Sequence, residues 1–194
     1  HTINNKIIYA DGTRDLNQRM KYLEQIEISA NEKILDVGCN AGLLVHYLST
    51  RSKYVTGYEI DPWMAGAAKQ ISNILGCNAS FKQVDLDQIK KIDFFDTIFL
   101  FSVIHHTVNL VENCKKISEA CNRIILECKL KEYGHKPDYS ANKENWIRTS
   151  KWDYDSEYEL FKGLEDIFPG FKVKRNIGYC DKHRMILELV KKSV

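Results

Sequence analysis

Proline is scarce in this chain, three residues among 194, and glycine is no more than ordinary at ten. Breaks between elements must therefore come mostly from polar clusters. No sign of charge dominates: lysine plus arginine is 28 and aspartate plus glutamate 26, for a net charge of +2. That balance offers no electrostatic footprint for a nucleic acid or a membrane surface. No apolar run approaches the roughly 20 residues of a membrane span. The longest, around residues 98–104, is interrupted by Ser102. The six cysteines (39, 77, 114, 121, 128 and 180) contain no CxxC pair and no zinc-ligand spacing, so no metal is expected and reduced, mostly buried thiols in a cytoplasmic protein are. No secretory signal is expected at the start, and an opening at His1 without methionine suits a numbering that begins inside a longer or tagged chain.

What is present is ordinary globular composition, 44% hydrophobic and 28% charged, in a length that fits one domain burying about 70% of its unfolded surface. Apolar residues at 16, 20, 23 and 26 have helical spacing. KILDV over Lys33–Val37 reads as a buried strand, followed by the turn GCNAG and a helix over Leu43–Leu48. A second strand is expected at Tyr54–Tyr58, then a helix opening at Pro62 and stopping at Gly76, as proline and glycine favour. Further strands are expected near residues 81–84, 97–101 and 123–127, with a helix over 108–120 between the last two. A helix at 157–168 and two closing strands near 171–175 and 184–190 complete the pattern. Repeated strand–helix alternation means a parallel sheet with helices on both faces, and the last two strands are expected to close it as an antiparallel hairpin.

The strand–turn–helix at Asp36–Gly42 carries the sharpest local signal. Gly38 and Gly42 let the backbone approach a ligand, and the following helix presents unpaired N–H groups. A dinucleotide fingerprint would need glycine at 40 and 43, where the chain has Asn40 and Leu43. Asn40 tolerates positive φ, so the tight turn is retained without the hydride-transfer motif. Taken alone, this is an ordinary βα turn. Its register with later acids is the stronger sign: Glu59 ends the second strand, about 20 residues on, where a carboxylate can accept ribose hydroxyls. Asp85 follows the third strand, suited to an adenine amino group, and Ser102 ends the fourth. All lie at the carboxyl ends of expected parallel strands, where such sheets bind ligands.

Read in order, ILDVGCNAG, GYEID, QVDLDQI and FDTIFLFSVIHH resemble the motifs of class I S-adenosylmethionine-dependent methyltransferases. The resemblance implies a seven-stranded, mostly parallel Rossmann-like α/β sheet and S-adenosylmethionine as cofactor, with S-adenosylhomocysteine as product. It further implies that Asp36 and Gly38 approach the methionine end, Glu59 the ribose, and Asp85 the adenine, with Cys39, Asn40 and Gly42 also among the cofactor-binding residues. Ile60 resembles the residue that packs on the adenine ring, Leu86 the one whose backbone meets it, and Ser102 completes the cofactor set. Asn40 departs from the family's usual middle glycine, which bears on how the methionine carboxylate is held. SVIHH with RIILECKLKE bears a shorter likeness to methyltransferases that cap bacterial surface polysaccharides, and a fainter one to enzymes modifying the tRNA wobble uridine.

A sulfonium methyl needs no electrophilic activation, and a base is required only if the acceptor carries a proton. His106, and after it His105, are the candidates, with an ordinary pKa of about 6.5. We expect a single domain over 1–194, with an N-terminal helix or lid in residues 1–30 and a substrate-binding insertion at 129–155. Tyr9, Arg14 and Arg19 are the lid's candidate contacts, and Trp146, Arg148 and Trp152 those of the insertion, whose basic and aromatic groups suit a phosphate, a carboxylate or a ring. The reading is methyl transfer to a small molecule or glycan, on oxygen. A tRNA-modifying methyltransferase and a silent cofactor-binding fold stand as alternatives; oligomeric state is left open.

Overall fold

The computed structural model describes residues 2–3, 6–7, 16–129, 156–180 and 184–193. Two short strands, β1 (Thr2–Ile3) and β2 (Lys6–Ile7), form a separate antiparallel pair, which nothing in the sequence pattern announced. After α1 (Leu16–Leu23) the alternation begins: β3 (Lys33–Val37), α2 (Leu43–Leu48), β4 (Tyr54–Glu59), α3 (Pro62–Leu75) and β5 (Ala79–Gln83). It continues through β6 (Phe95–Phe101), a 3-10 turn at Ile104–His106, α4 (Leu110–Glu119) and β7 (Cys121–Lys129). The described chain closes with α5 (Glu157–Ile167), β8 (Phe171–Tyr179) and β9 (Arg184–Lys191).

The strands β3 to β9 form one seven-stranded sheet in the order β5-β4-β3-β6-β7-β9-β8. Pairings from β5 across to β7 are parallel, and β9 runs antiparallel to both β7 and β8. This is the Rossmann-like plan with a C-terminal antiparallel hairpin that the motifs implied. Strand order reverses between β3 and β6, and a crevice opens at their carboxyl ends, the place where such sheets bind ligands.

Central strands are apolar because both faces are covered. Neighbouring residues serve opposite faces: Ile34 packs with α1 and α2 through Leu23, Ile26, Val45 and Leu48, while Leu35 packs with α4 and α5 through Ile117, Leu160 and Leu164. Local chemistry fixes the helix ends. Asp61 caps α3 by accepting the Trp63 and Met64 amides ahead of Pro62 in the first turn, and Gly76 ends it. Ser156 caps α5 through the Glu159 amide.

Several boundaries differ from the sequence expectation, with β6 starting at Phe95, β7 spanning Cys121–Lys129 and β8 reaching Tyr179; three further differences have a structural cause. The helix expected to reach Ile26 ends at Leu23, and Ile26 is buried from a following turn. The third strand of the parallel set lies at Ala79–Gln83, not 81–84: it is an edge strand with little apolar patterning, and its pairing with β4 ends where the Val84 amide bonds the carbonyl of Glu59, the last residue of β4. Helix α4 starts at Leu110, for a tertiary reason given below.

Candidate active site

The turn after β3 is built from three left-handed residues: Gly38 (φ 70°), Asn40 (φ 51°) and Gly42 (φ 82°). Asparagine is one of the few side-chain-bearing residues to accept this region, and its Oδ1 takes the Ala41 amide at 2.7 Å. The glycines are also demanded by space. A Cβ on Gly38 would lie 2.6 Å from the Val103 side chain, and one on Gly42 would strike Phe81, His46 and Ala68 at 2.8–3.0 Å. Beneath the turn, His46 is buried, its Nε2 at 3.1 Å from the Ala68 carbonyl.

Glu59, at the end of β4, is 8% exposed and braces this turn. Its Oε2 accepts the Asn40 amide at 2.7 Å and its Oε1 the Asp61 amide at 3.0 Å. A carboxylate offers about four acceptor sites, so capacity is left for two hydroxyls. Asp36, one residue before the end of β3, is 3% exposed. Burial pushes its pKa up to about 8, against the pull of the Arg19 guanidinium and with the help of Glu59. Burial also holds the Cys39 thiol well above its ordinary range, reinforced by Asp36 and Glu59, so this cysteine is no nucleophile.

Past these strand ends lies a cavity of about 110 Å³ walled by Val37, Gly38, Tyr58, Ile60, Val84, Asp85, Leu86, Asp87, Val103, His106 and Thr107. Gly38, Ile60, Asp85, Leu86 and His106 of the sequence-derived set meet there, while Asp36, Asn40, Gly42 and Glu59 form its adjoining floor and turn. Tyr58, Val84, Asp87, Val103 and Thr107 belong to the wall and were not singled out from sequence, although Val103 and Thr107 bracket the histidine pair. Asp85 accepts the Asp87 amide at 2.9 Å. Exposed His106 ends the 3-10 turn, its amide donating to the Val103 carbonyl at 2.9 Å. The backbone of His105 lies in the same turn; its side chain lies outside the description, as do Tyr9, Arg14, Trp146, Arg148 and Trp152.

Ser102 stands apart from the other cofactor candidates. It holds φ 55°, and its hydroxyl is turned onto Glu127 and within 3.4 Å of Arg184, not into the cavity. The reason is Glu127 itself, a carboxylate with no exposed side-chain surface near the end of β7. Arg19 of α1 grips it at 2.6–2.8 Å while lying over the Phe101 ring, and Arg184 of β9 stands 3.7 Å away. The Cys180 thiol also donates to it at 3.6 Å. Buried charge demands such company, and the hydroxyl of Ser102 is part of it. Arg19, expected as a lid contact, is fixed by this cluster.

A larger, open depression of about 600 Å³ lies at the opposite end of the sheet, bounded by Glu27, Ser29, Glu32, Asp96, Thr97 and Arg123. Its polar groups are already tied together: Arg123 bonds Glu32, Thr97 and the Glu27 carbonyl, and Asp96 accepts the Lys33 amide. It braces the amino ends of the strands. Among the described residues no group of three or more histidine, cysteine or acidic side chains could hold a metal ion, and no helix is long and apolar enough to cross a membrane. The six cysteines are free thiols.

The fold is a doubly wound sheet whose carboxyl crest presents a glycine turn, the Glu59 carboxylate at the end of β4 and a cavity with apolar walls beside Asp85. Residues 34–125 match the family model described as a methyltransferase domain. An uncharacterized methyltransferase of Schizosaccharomyces pombe is 25% identical over 174 residues, 78% of this chain and 64% of that one. A ubiquinone biosynthesis O-methyltransferase of Coxiella burnetii is 28% identical over 112 residues, 56% of this chain and 48% of that one. The chain thus spans less than two thirds of the length of these relatives. In three dimensions, magnesium protoporphyrin IX methyltransferase of Synechocystis, solved with bound S-adenosylhomocysteine, superposes with TM-score 0.69 at 21% identity over 95% of this chain and 90% of that one. Residues 34–125 thus carry a methyltransferase-domain signature on the fold of the class I S-adenosylmethionine-dependent methyltransferases, structures of which have been solved with S-adenosylmethionine and S-adenosylhomocysteine bound.

Proposed function

We propose that this protein transfers the methyl group of S-adenosylmethionine to a small-molecule or glycan acceptor, on oxygen. The observation that carries the reading is the joint placement of Gly38, Glu59, Asp85 and His106 around the carboxyl ends of β3, β4, β5 and β6. The donor set suits the cofactor part by part. Ile60, Val84, Leu86 and Val103 offer apolar surface to an adenine ring, and Asp85 a carboxylate for its amino group. Glu59 keeps acceptor capacity for the ribose hydroxyls. Asp36 supplies a buried carboxyl for the ammonium of the methionine end. The O-methyltransferase name of the Coxiella relative favours oxygen as the atom methylated.

The bound cofactor brings an already activated methyl, so the chain's task is orientation, worth up to roughly 7–11 kcal/mol when the reacting groups are well aligned. His106, on the wall of the cavity, is placed to take the proton of a hydroxyl acceptor as it attacks.

Calorimetric titration with S-adenosylhomocysteine tests the cofactor site directly. Micromolar binding is expected, weakened at least tenfold (about 1.4 kcal/mol) in Glu59→Ala. In an acceptor screen, His106→Ala should lower product formation about a hundredfold while leaving that affinity unchanged. No binding by the unaltered protein would overturn the assignment. Binding without product from any hydroxyl acceptor would leave a silent cofactor-binding fold.

A further inference from the structure

Two loops wall the cavity from opposite sides. One, Val84–Asp87, follows β5 on the side proposed for the adenine; the other, Val103–Thr107, follows β6 and carries His106. A single carboxylate joins them. Asp87 Oδ2 accepts the Val108 amide at 2.9 Å, and its Oδ1 accepts the Asn109 amide at 2.8 Å and the Asn113 side-chain amide at 2.7 Å. Its own amide donates to Asp85 at 2.9 Å. Behind it, the buried Lys116 ammonium of α4 donates to the Leu86 and Ile89 carbonyls at 2.7 and 2.9 Å.

This arrangement is more than a helix cap. Asn109, at the N-terminus of α4, makes no capping bond with its own side chain; the role falls to an acid from a distant loop, which also complements the helix dipole. The bonded amides begin two residues after His106 and one after Thr107. Burial pushes the Asp87 carboxyl up, but the Val108 and Asn109 amides, Asn113 and Lys116 outweigh it and hold the group below the usual carboxylate range. Asn113 is fully buried and spends its amide nitrogen on Asp87, while its Oδ1 has no partner among the described residues.

We infer that Asp87 is a positioning residue that couples occupation of the adenine seat to the placement of the His106 turn. Cofactor held against Asp85 and Leu86 immobilises the 84–87 loop, and Asp87 passes that restraint to Val108 and Asn109 and so to the turn before them. The inference rests on the cofactor assignment proposed above.

Hydrogen exchange resolved by residue, with and without saturating S-adenosylhomocysteine, provides the test. The informative amides are those of His106 and Thr107, which donate within their own turn to the Val103 and Ile104 carbonyls. In the unaltered protein the ligand should slow their exchange about tenfold, within the usual range of coupling between two sites. In Asp87→Ala, at ligand concentrations raised to restore saturation, that slowing should disappear, whereas the amides of β3 and β4 still respond to ligand. Asp87→Asn keeps one acceptor oxygen and should retain a partial effect, and it serves as the readout if the alanine variant does not fold. Equal slowing at His106 and Thr107 in the variant and the unaltered protein overturns the coupling alone. No slowing at those amides in the unaltered protein, with binding intact, does the same. Failure of the unaltered protein to bind the ligand overturns the cofactor assignment and this inference with it.

Discussion

Asp36 shows how much one side chain's surroundings decide. A carboxyl with an unfolded pKa of about 3.9 is held near 8 in the folded protein, first by burial, then by Glu59, against the opposing pull of Arg19. Between those two values the folded protein binds the extra proton, so stability falls as pH rises through the window and the contribution is gone above the folded value. Urea midpoints measured from roughly pH 6 to pH 9 should decline for the unaltered protein, and Asp36→Asn should flatten that decline. An unchanged slope in the variant would assign the proton elsewhere. At the same scale, the acids at 36, 59 and 85 were readable from their register with strand ends. The bond from Ser102 to Glu127 was not legible, because no local pattern reveals the buried carboxylate beneath it. The one sign was a glutamate set into the apolar run RIILE.

Elements with strong internal signals were legible in full: Lys33–Val37 as an apolar run, Leu43–Leu48, and Pro62–Leu75 between its proline and its glycine. Those governed by distant partners were not. Edge strand β5 offers only Phe81 as a large apolar residue, and the start of α4 is set by Asp87, more than a helix length away in sequence. The docking of α1 is another tertiary decision. Gly178 of β8 leaves room for the Tyr22 ring, which would stand 2.0 Å from any Cβ placed there. Gly178→Ala should therefore displace α1 and cost about 1–3 kcal/mol, as overpacking does. Adding Tyr22→Ala should recover part of that loss, a coupling that chemical denaturation of the four proteins in the cycle would measure. Simple additivity would mean that the helix is seated by other contacts.

For the molecule as a whole, the cluster around Glu127 joins α1, β6, β7 and the C-terminal hairpin at one point. Replacing it by alanine strips Arg19 and Arg184 of a fully buried counter-charge, and unfolding free energy should drop by about 3–5 kcal/mol, the range for breaking a buried pair. Glu127→Gln, which keeps a polar partner for Ser102, should lose less. A drop below about 1 kcal/mol on alanine substitution would show that water reaches the guanidinium groups and that the cluster is a surface feature.

Because Arg19 precedes the whole sheet in the chain and Arg184 opens its last strand, the two halves of this clamp leave the ribosome far apart in time. Until β9 has been synthesised, Glu127 lacks Arg184, one of its two arginine partners among the described residues, and the strand pairings depend on long-range contacts, which close slowly. The nascent domain therefore acquires this fastening only with the β8–β9 hairpin, and any lesion that delays that hairpin would be felt at α1, on the far side of the clamp.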